Sequence, residues 1–254
     1  MSLFGQMVDW LGDPAHWSGT DGVPARVLEH VSISFTAVAI AIVIGLPAGL
    51  AIGHTGRGRL LAVSVANLGR AIPSFAILSI AFQAVLSFAP ELAFGFVPTV
   101  IALTLLAIPP ILTNTYVGVE EVDADMVEAA RGVGMTGSQV LRTLELPLAI
   151  PLILAGLRTA AVQVVATATL AALIAGGGLG RYIVDGFAQG DEGMLLAGAV
   201  LVAVLAILTE LLFGGIQRVL TPRHVSRPTR GQTPAEVGPA PPPAWPVGVG
   251  APES

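Results

Sequence analysis

The chain has 254 residues, of which 54% are hydrophobic and only 11% are charged, and its mean hydropathy is +0.79. An average soluble domain carries about 25% charged residues, so this composition predicts a membrane protein. The chain has no Cys and no Lys, which excludes disulfides, thiolate chemistry and a P-loop lysine. The net charge of −5 without a basic stripe predicts no nucleic-acid partner, and the four scattered His predict no metal site.

Five long apolar stretches are candidates for membrane-spanning helices, since a bilayer core needs about 20 apolar residues in a helix. They are residues 31–53, 60–86, 96–119, 147–174 and 194–219. Apart from Arg218 at the end of the last stretch, their only charged residues are Arg70, Arg158 and Glu210. The second stretch contains Pro73, and the sequence leaves open whether residues 60–70 lie along the membrane surface while residues 73–86 form the span. The expected fold is an all-α polytopic membrane protein with about five transmembrane helices.

The arginines beside these stretches predict the orientation of the chain, because cytoplasmic segments collect positive charge. One set of connections and the tail carries eight arginines, against two in the other set. The eight are Arg57, Arg59, Arg131, Arg142, Arg218, Arg223, Arg227 and Arg230, and the two are Arg26 and Arg181. We therefore expect the N-terminus outside and the C-terminus in the cytoplasm.

We expect the two ends of the chain to lie outside the permease domain. Residues 1–30 contain no Arg before Arg26, so they predict a retained extracytoplasmic segment and not a cleaved signal peptide. Residues 221–254 contain nine Pro and few large apolar side chains, which predicts a disordered cytoplasmic tail. A ligand for an aromatic groove is the alternative for this tail. The permease domain is thus residues 31–220.

Polar and small residues within the spans carry further predictions. Thr159, Gln163 and Thr167 share one helix face, which favours either the wall of a translocation path or hydrogen bonds between helices. We expect Glu210 to pair with Arg70 or Arg158. The four-residue spacing of Gly45, Gly49 and Gly53 predicts close contact with another helix. The sequence GGGLG at residues 176–180 predicts a flexible extracytoplasmic turn. Docking of a substrate receptor to this turn is a further hypothesis.

The cytoplasmic connection over residues 120–147 has the pattern of two short helices. Asp123 and Asp125 favour the start of the first helix, and Gly132 and Gly134 favour its end. A capping-box pattern over residues 136–139 then predicts a second helix that continues through residue 144, and Pro147 opens the next span.

This connection resembles the EAA motif of ATP-binding cassette (ABC) importer permeases. The motif has Glu-Ala-Ala, three residues, Gly, nine residues, an Ile-like residue, one residue, then Leu-Pro. The matching residues are Glu128, Ala129, Ala130, Gly134, Leu144, Leu146 and Pro147. The resemblance implies a type I importer fold, in which these residues form a coupling segment that docks on an ABC ATPase subunit. It implies that the chain is not an enzyme and binds no cofactor, because ATP is used by that partner.

Further segments are similar to the permeases for glycine betaine, choline, carnitine and related osmoprotectants. They include AIPS at 71–74, IPPILTNTY at 108–116, ELPLA at 145–149, AGLRTA at 155–160 and TATLAALI at 167–174. The resemblance spans roughly residues 30–220 and implies an extracytoplasmic substrate-binding protein and a second permease, either another copy or a paralogue, as partners. An importer of another small solute such as an amino acid is the alternative. An ion-driven secondary transporter is a second alternative, for which Glu210 is the only support.

Overall fold

The computed structural model describes residues 2–221, and this part of the chain is built from α-helices with short 3-10 and π-helical turns. The predicted disordered tail from residue 222 onwards lies outside the described residues. The α-helices are α1 Leu3–Gly12, α2 Val23–Thr55, α3 Arg59–Ala71, α4 Ser74–Phe88, α5 Phe96–Glu120, α6 Ala124–Gly132, α7 Gly137–Val140, α8 Leu146–Thr167, α9 Gly180–Gln189 and α10 Glu192–Leu220.

Four helical stretches are long and apolar enough to cross a membrane, and they confirm four of the five predicted spans. They are Val23–Thr55, Phe96–Glu120, Gly137–Ile174 and Glu192–Leu220. The first begins eight residues earlier than the uncharged stretch suggests, because Arg26 and Glu29 form an ion pair of 2.8 Å within its first turns. The charges that mark the edge of the apolar sequence therefore do not end the helix.

The remaining span is broken into α3 and α4 at Pro73, so a continuous helix over 60–86 is wrong. Pro73 takes an extended conformation before α4. A proline also disfavours the helical conformation of the residue that precedes it. The two helices nevertheless follow α5 from end to end. Arg59 in α3 pairs with Glu120 at 2.7 Å, and Phe82 in α4 lies 5.5 Å from the ring of Phe94 beside the start of α5. Together α3 and α4 thus take the place of a single helix beside α5.

Helix α5 is the centre of the bundle, and α2 packs against it through the predicted glycine stripe. A Cβ atom at Gly49 would lie only 2.6 Å from Thr115 Cβ. Gly45 and Gly53 meet Ile111 and Val119 one turn to either side. The prediction of close helix contact is confirmed, because only glycine allows the two backbones to approach this far.

On its other side α5 packs against α8 through a second set of small residues. A Cβ atom at Gly156 would lie 2.7 Å from Asn114 Cβ, and one at Gly118 would lie 3.0 Å from Leu152 Cβ. The Asn114 amide donates to the carbonyl of Pro110 at 2.8 Å, within a helix that stays continuous through Pro109 and Pro110. This polar side chain is thus satisfied within its own helix.

The N-terminal residues form a helix that packs on the bundle beside α9 and the start of α10. Trp10 of α1 is buried, with its ring 4.1 Å from that of His16 and 5.0 Å from that of Tyr182 in α9. Gln6 in α1 approaches Gly193 at the start of α10 so closely that a Cβ there would lie 2.8 Å from the Gln6 carbonyl oxygen. This segment is therefore an ordered part of the bundle.

Candidate functional site: the coupling segment, the polar face of α8 and the outer turn

The predicted coupling segment is residues 120–147, and its first half is an exposed helix, α6. This helix begins and ends as the sequence predicts. The Asp123 carboxylate accepts from the Asp125 N–H at 2.9 Å, and Gly134 has a φ of +90°. No residue of α6 is buried: Glu128 and Ala129 are exposed and Ala130 is half-buried. The apolar side chains at this end of the segment are exposed too, with Met126 at 46% and Val133 at 81%. The helix thus presents small, apolar and acidic groups to its surroundings.

The back half of the segment is continuous with the fourth span, so the predicted separate second helix is wrong. The capping box of Thr136 and Gln139 is present and starts α7, which leads through a π-helical turn, Leu141–Glu145, directly into α8. Pro147 explains the widened turn, because it has no N–H to donate to the carbonyl four residues earlier. Pro147 is exposed, Leu144 is half-buried and Leu146 packs against Val119, Ala149 and Ile153.

A buried pair that sequence reasoning missed joins this segment to α2. His54 Nδ1–H donates to the Glu145 carboxylate at 2.6 Å, and Glu145 is only 4% exposed. Gly137 lies against the same imidazole, since a Cβ there would be 3.2 Å from His54 Nε2. His54 and Glu145 are 91 residues apart, and although Glu145 lies in the ELPLA segment, no local signal could have paired it with His54.

The three polar residues predicted to line a path do not share one environment. Thr159 and Gln163 are exposed in this chain, and the Thr159 hydroxyl donates to the Ala155 carbonyl of its own helix at 2.9 Å. Thr167 is half-buried and lines a small pocket together with Ser74 and Thr99. Thr159 therefore makes its bond within α8 and not to a neighbouring helix.

Arg158 and Glu210 form an ion pair between α8 and α10, as one of the two predicted pairings requires. Arg158 is adjacent in sequence to Thr159 but turns to α10. Pairing offsets part of the cost of holding two charges within spans. Among residues 2–221 no three metal-ligating side chains come together.

The glycine-rich turn after the fourth span is held by α2, through contacts that the sequence does not predict. The Glu29 carboxylate accepts from the Gly178 N–H at 2.8 Å and from Arg26 at 2.8 Å. Fully buried His30 accepts at Nδ1 from the Leu179 N–H at 3.3 Å and donates from Nε2 to the Val165 carbonyl at 2.8 Å. The glycines are required by close approach, because a Cβ at Gly177 would lie within 2.3 Å of Glu29 Oε2.

The segment before α2 closes the outer end of this cluster. The Tyr182 hydroxyl donates to the carbonyl of Asp21 at 2.6 Å, and the Asp21 carboxylate accepts from Arg26 at 2.5 Å. Burial raises the pKa of the Tyr182 hydroxyl above its usual value, so it remains a protonated donor. The loops at this end of the bundle are thereby fixed to the first span.

The described residues form an all-α bundle of membrane spans with an exposed helix, α6, between two of the spans, and this is the architecture of a membrane-embedded permease. Residues 41–225 match the family described as the binding-protein-dependent transport system inner membrane component. The chain belongs to this family and is a permease subunit of an ABC importer.

Relatives with known functions cover most of the chain. A glycine betaine/carnitine/choline transport system permease protein of Bacillus subtilis is 38% identical over 77% of this chain and 87% of its own length. A choline transport system permease protein of the same organism is 36% identical over 80% of this chain and 90% of its own length. An osmoprotectant import permease protein of Salmonella typhimurium is 36% identical over 78% of this chain and 91% of its own length.

Solved structures show the same fold at lower identity. The inward-facing MetNI methionine ABC transporter aligns with a TM-score of 0.68 at 23% identity, covering 79% of this chain and 96% of that one. An amino acid ABC transporter solved with histidines aligns with a TM-score of 0.64 at 20% identity, covering 87% of this chain and 98% of that one.

Proposed function

We propose that this permease imports quaternary-ammonium osmoprotectants such as glycine betaine, choline or carnitine. The observation that carries the proposal is the identity of 36–38% with permeases named for these solutes, over more than three quarters of the chain. The resemblance extends across the spans and the coupling segment. It therefore covers the parts of the chain that any transported solute has to pass.

Cargo selection resides in a separate extracytoplasmic substrate-binding protein. An aromatic cage for a quaternary ammonium needs several accessible rings. The two tyrosines of the chain, Tyr116 and Tyr182, are 7% and 5% exposed and pack inside the bundle. Among the described residues, the exposed Phe and Trp rings form only one aromatic contact, that of Phe94 with Phe82. The spans thus offer a passage, and the receptor supplies the recognition.

The test of cargo is ATP-dependent uptake into proteoliposomes that contain the permease, its ATPase subunits and its receptor. We expect labelled glycine betaine, choline or carnitine to accumulate with ATP, and methionine and histidine to compete poorly. An ion gradient without ATP should drive no uptake. Uptake of amino acids alone would overturn the proposed cargo, and uptake driven by the gradient would overturn the ATP-driven mechanism.

Coupling to the ATPase runs through residues 120–147. The support is the exposure of Glu128, Ala129 and Ala130 on a helix with no buried residue, with the second half of the motif anchored in the bundle. The small side chains permit close approach, and Glu128 provides a charge for a basic rim of the partner. Ala130→Trp should give inserted permease that no longer retains the ATPase or no longer couples hydrolysis to uptake. Wild-type retention and uptake in this variant would refute the assignment.

The exposed face of α8 that carries Thr159 and Gln163 lines the translocation path, and a second permease copy or paralogue completes it. The support is that both polar side chains are exposed at membrane depth, where polar groups normally face protein or water. Rigid-body displacement of the two permeases then alternates access to the path.

The N-terminus lies outside and the C-terminus in the cytoplasm. The support is the distribution of arginines together with the odd number of crossings that α3 and α4 complete as one span. A reporter fused after Gly12 should be accessible from outside, and one fused after Arg230 only from inside. Labelling of both reporters from the same face would refute this topology.

A further inference from the structure

We propose that His54 and Glu145 are positioning residues that transmit movement of the coupling segment to the first span. This inference rests on the proposed docking of residues 120–147 to the ATPase. It assigns a role to His54, at the cytoplasmic end of α2, and to Glu145, which lies between the matched motif positions Leu144 and Leu146. Neither residue touches cargo or nucleotide in this role.

The first observation is that the coupling helix has almost no packing of its own. Helix α6 has no buried residue, so a push on it reaches the bundle through the short link to α5 before it and through the chain that follows. That chain is α7 and the π-helical turn Leu141–Glu145. A π-helical turn departs from the regular hydrogen bonding of an α-helix, and such turns are frequent at functional sites. Without a restraint, a bend at this turn would absorb the movement before it reached α8.

The second observation is that His54 restrains both ends of this stretch. Its Nδ1–H donates to Glu145, the last residue of the π-helical turn, at 2.6 Å. The opposite edge of its ring lies against Gly137, where a Cβ would be 3.2 Å from Nε2. Residue 137 starts α7, so one imidazole contacts the beginning of α7 and the end of the turn. A displacement of α7 therefore displaces the end of α2.

The third observation is that α2 cannot move alone. A Cβ at Gly49 would lie 2.6 Å from Thr115 Cβ, and one at Gly53 would lie 2.6 Å from Val119 Cβ, so α2 and α5 interlock over their cytoplasmic halves. Displacing the end of α2 therefore carries α5 with it. The His54–Glu145 pair converts a local push on α6 into a movement of the central helices.

The experiment compares His54→Ala, Glu145→Ala and the double variant with the wild type in the complete transporter. The readouts are ATPase copurification, the rate of ATP hydrolysis and the uptake of labelled glycine betaine and choline per ATP hydrolysed. A merely structural role lowers uptake and hydrolysis together, which leaves their ratio unchanged. We expect the ATPase to be retained and the ratio to fall about fivefold or more, which is the usual range for coupling between sites.

Two further variants sharpen the test. The double variant should be no worse than either single one, because residues that act through each other are not additive. It also leaves no unpaired buried carboxylate, so it decides the matter if a single variant fails to fold. Glu145→Gln should keep most of the ratio, because its amide oxygen still accepts from His54 Nδ1–H.

The matched control is the ion pair of Arg59 and Glu120, which lies at the same end of the bundle but is exposed and joins α3 to α5. Its double alanine variant should keep the wild-type ratio. A wild-type ratio in the His54 and Glu145 double variant, with the ATPase retained, would overturn this inference and leave the coupling segment intact. Failure of the wild-type permease itself to retain an ATPase would overturn both.

Discussion

Two glycines at the end of the coupling helix separate backbone strain from steric clash. A Cβ at Gly132 or at Gly134 would meet no atom within 4 Å, so alanine fits sterically at both positions. Only Gly134 has a positive φ, of +90°. Gly134→Ala therefore introduces strain without a clash, and Gly132→Ala is its matched control.

The expected penalty follows from this conformation. An L-residue in a sparsely populated positive-φ conformation costs about 1–3 kcal/mol. Because α6 has no buried residue, little packing holds the turn in place, and the strain reduces the fraction of chains with the docking geometry. The apparent Kd for the ATPase subunit rises in proportion, by about 5- to 150-fold. Gly132→Ala removes a flexible residue from the helix and should stabilise it by about 0.4–1 kcal/mol.

The assay is a titration of the purified ATPase subunit onto permease held in lipid nanodiscs. Gly134→Ala should bind far more weakly than wild type, and Gly132→Ala should bind as well or better. Gly134→Asn should lie between them, because Asn tolerates a left-handed conformation better than Ala does. Equal Kd values for the alanine variants at 132 and 134 would refute the argument that this turn has to keep its positive φ for docking.

Three further predictions concern the spans. Gly49→Leu should lower the thermal midpoint of the purified permease, because overpacking against Thr115 costs about 1–3 kcal/mol. Gly215→Leu is the control and should leave the midpoint unchanged, because a Cβ at Gly215 would meet no atom within 4 Å. Equal midpoints for the two variants would contradict the packing of α2 on α5. Arg158→Ala should reduce the amount of inserted permease, measured on a membrane-fraction blot, because it leaves Glu210 unpaired. The double variant with alanine at both 158 and 210 should restore that amount, and no restoration would argue against a pairing role. Cysteines placed at 159 and 163, in a chain that has none, should react with water-soluble thiol reagents in an ATP-dependent way, and protection in every state would favour buried packing.

The sequence predicts features that depend on a single helix or on one short pattern. Uncharged length identifies the spans, and four-residue spacing identifies the glycine stripe that meets Ile111, Thr115 and Val119. The capping box at 136–139 is local, so it too is predictable. The sequence predicts that Glu210 pairs with either Arg70 or Arg158, because charges within spans need partners and few are available. The structure contains the pair with Arg158.

Features that depend on two distant segments could not be predicted in this way. The clamp of Glu29 on the glycine-rich turn joins residues 149 positions apart, and composition alone describes that turn as flexible. The division of the second span into α3 and α4 follows from Pro73, but that both halves follow α5 is settled only by contacts such as Phe82 with Phe94. The π-helical turn before Pro147 likewise requires the backbone itself, since the sequence favours a break there.

The contacts of α2 limit which movements the permease can make. One end of α2 holds the turn after the fourth span through Glu29 and His30, and its other end holds the start of that span through His54 and Glu145. Between these ends, α2 interlocks with α5, and α5 interlocks with α8 at Gly156. Sliding α8 along α2 would break both sets of polar contacts at once. It would also move side chains into the positions where only glycine leaves enough space. Alternating access therefore has to displace α2, α5 and α8 together as one body, with the change of shape taken up at the surfaces of this bundle and not between its helices.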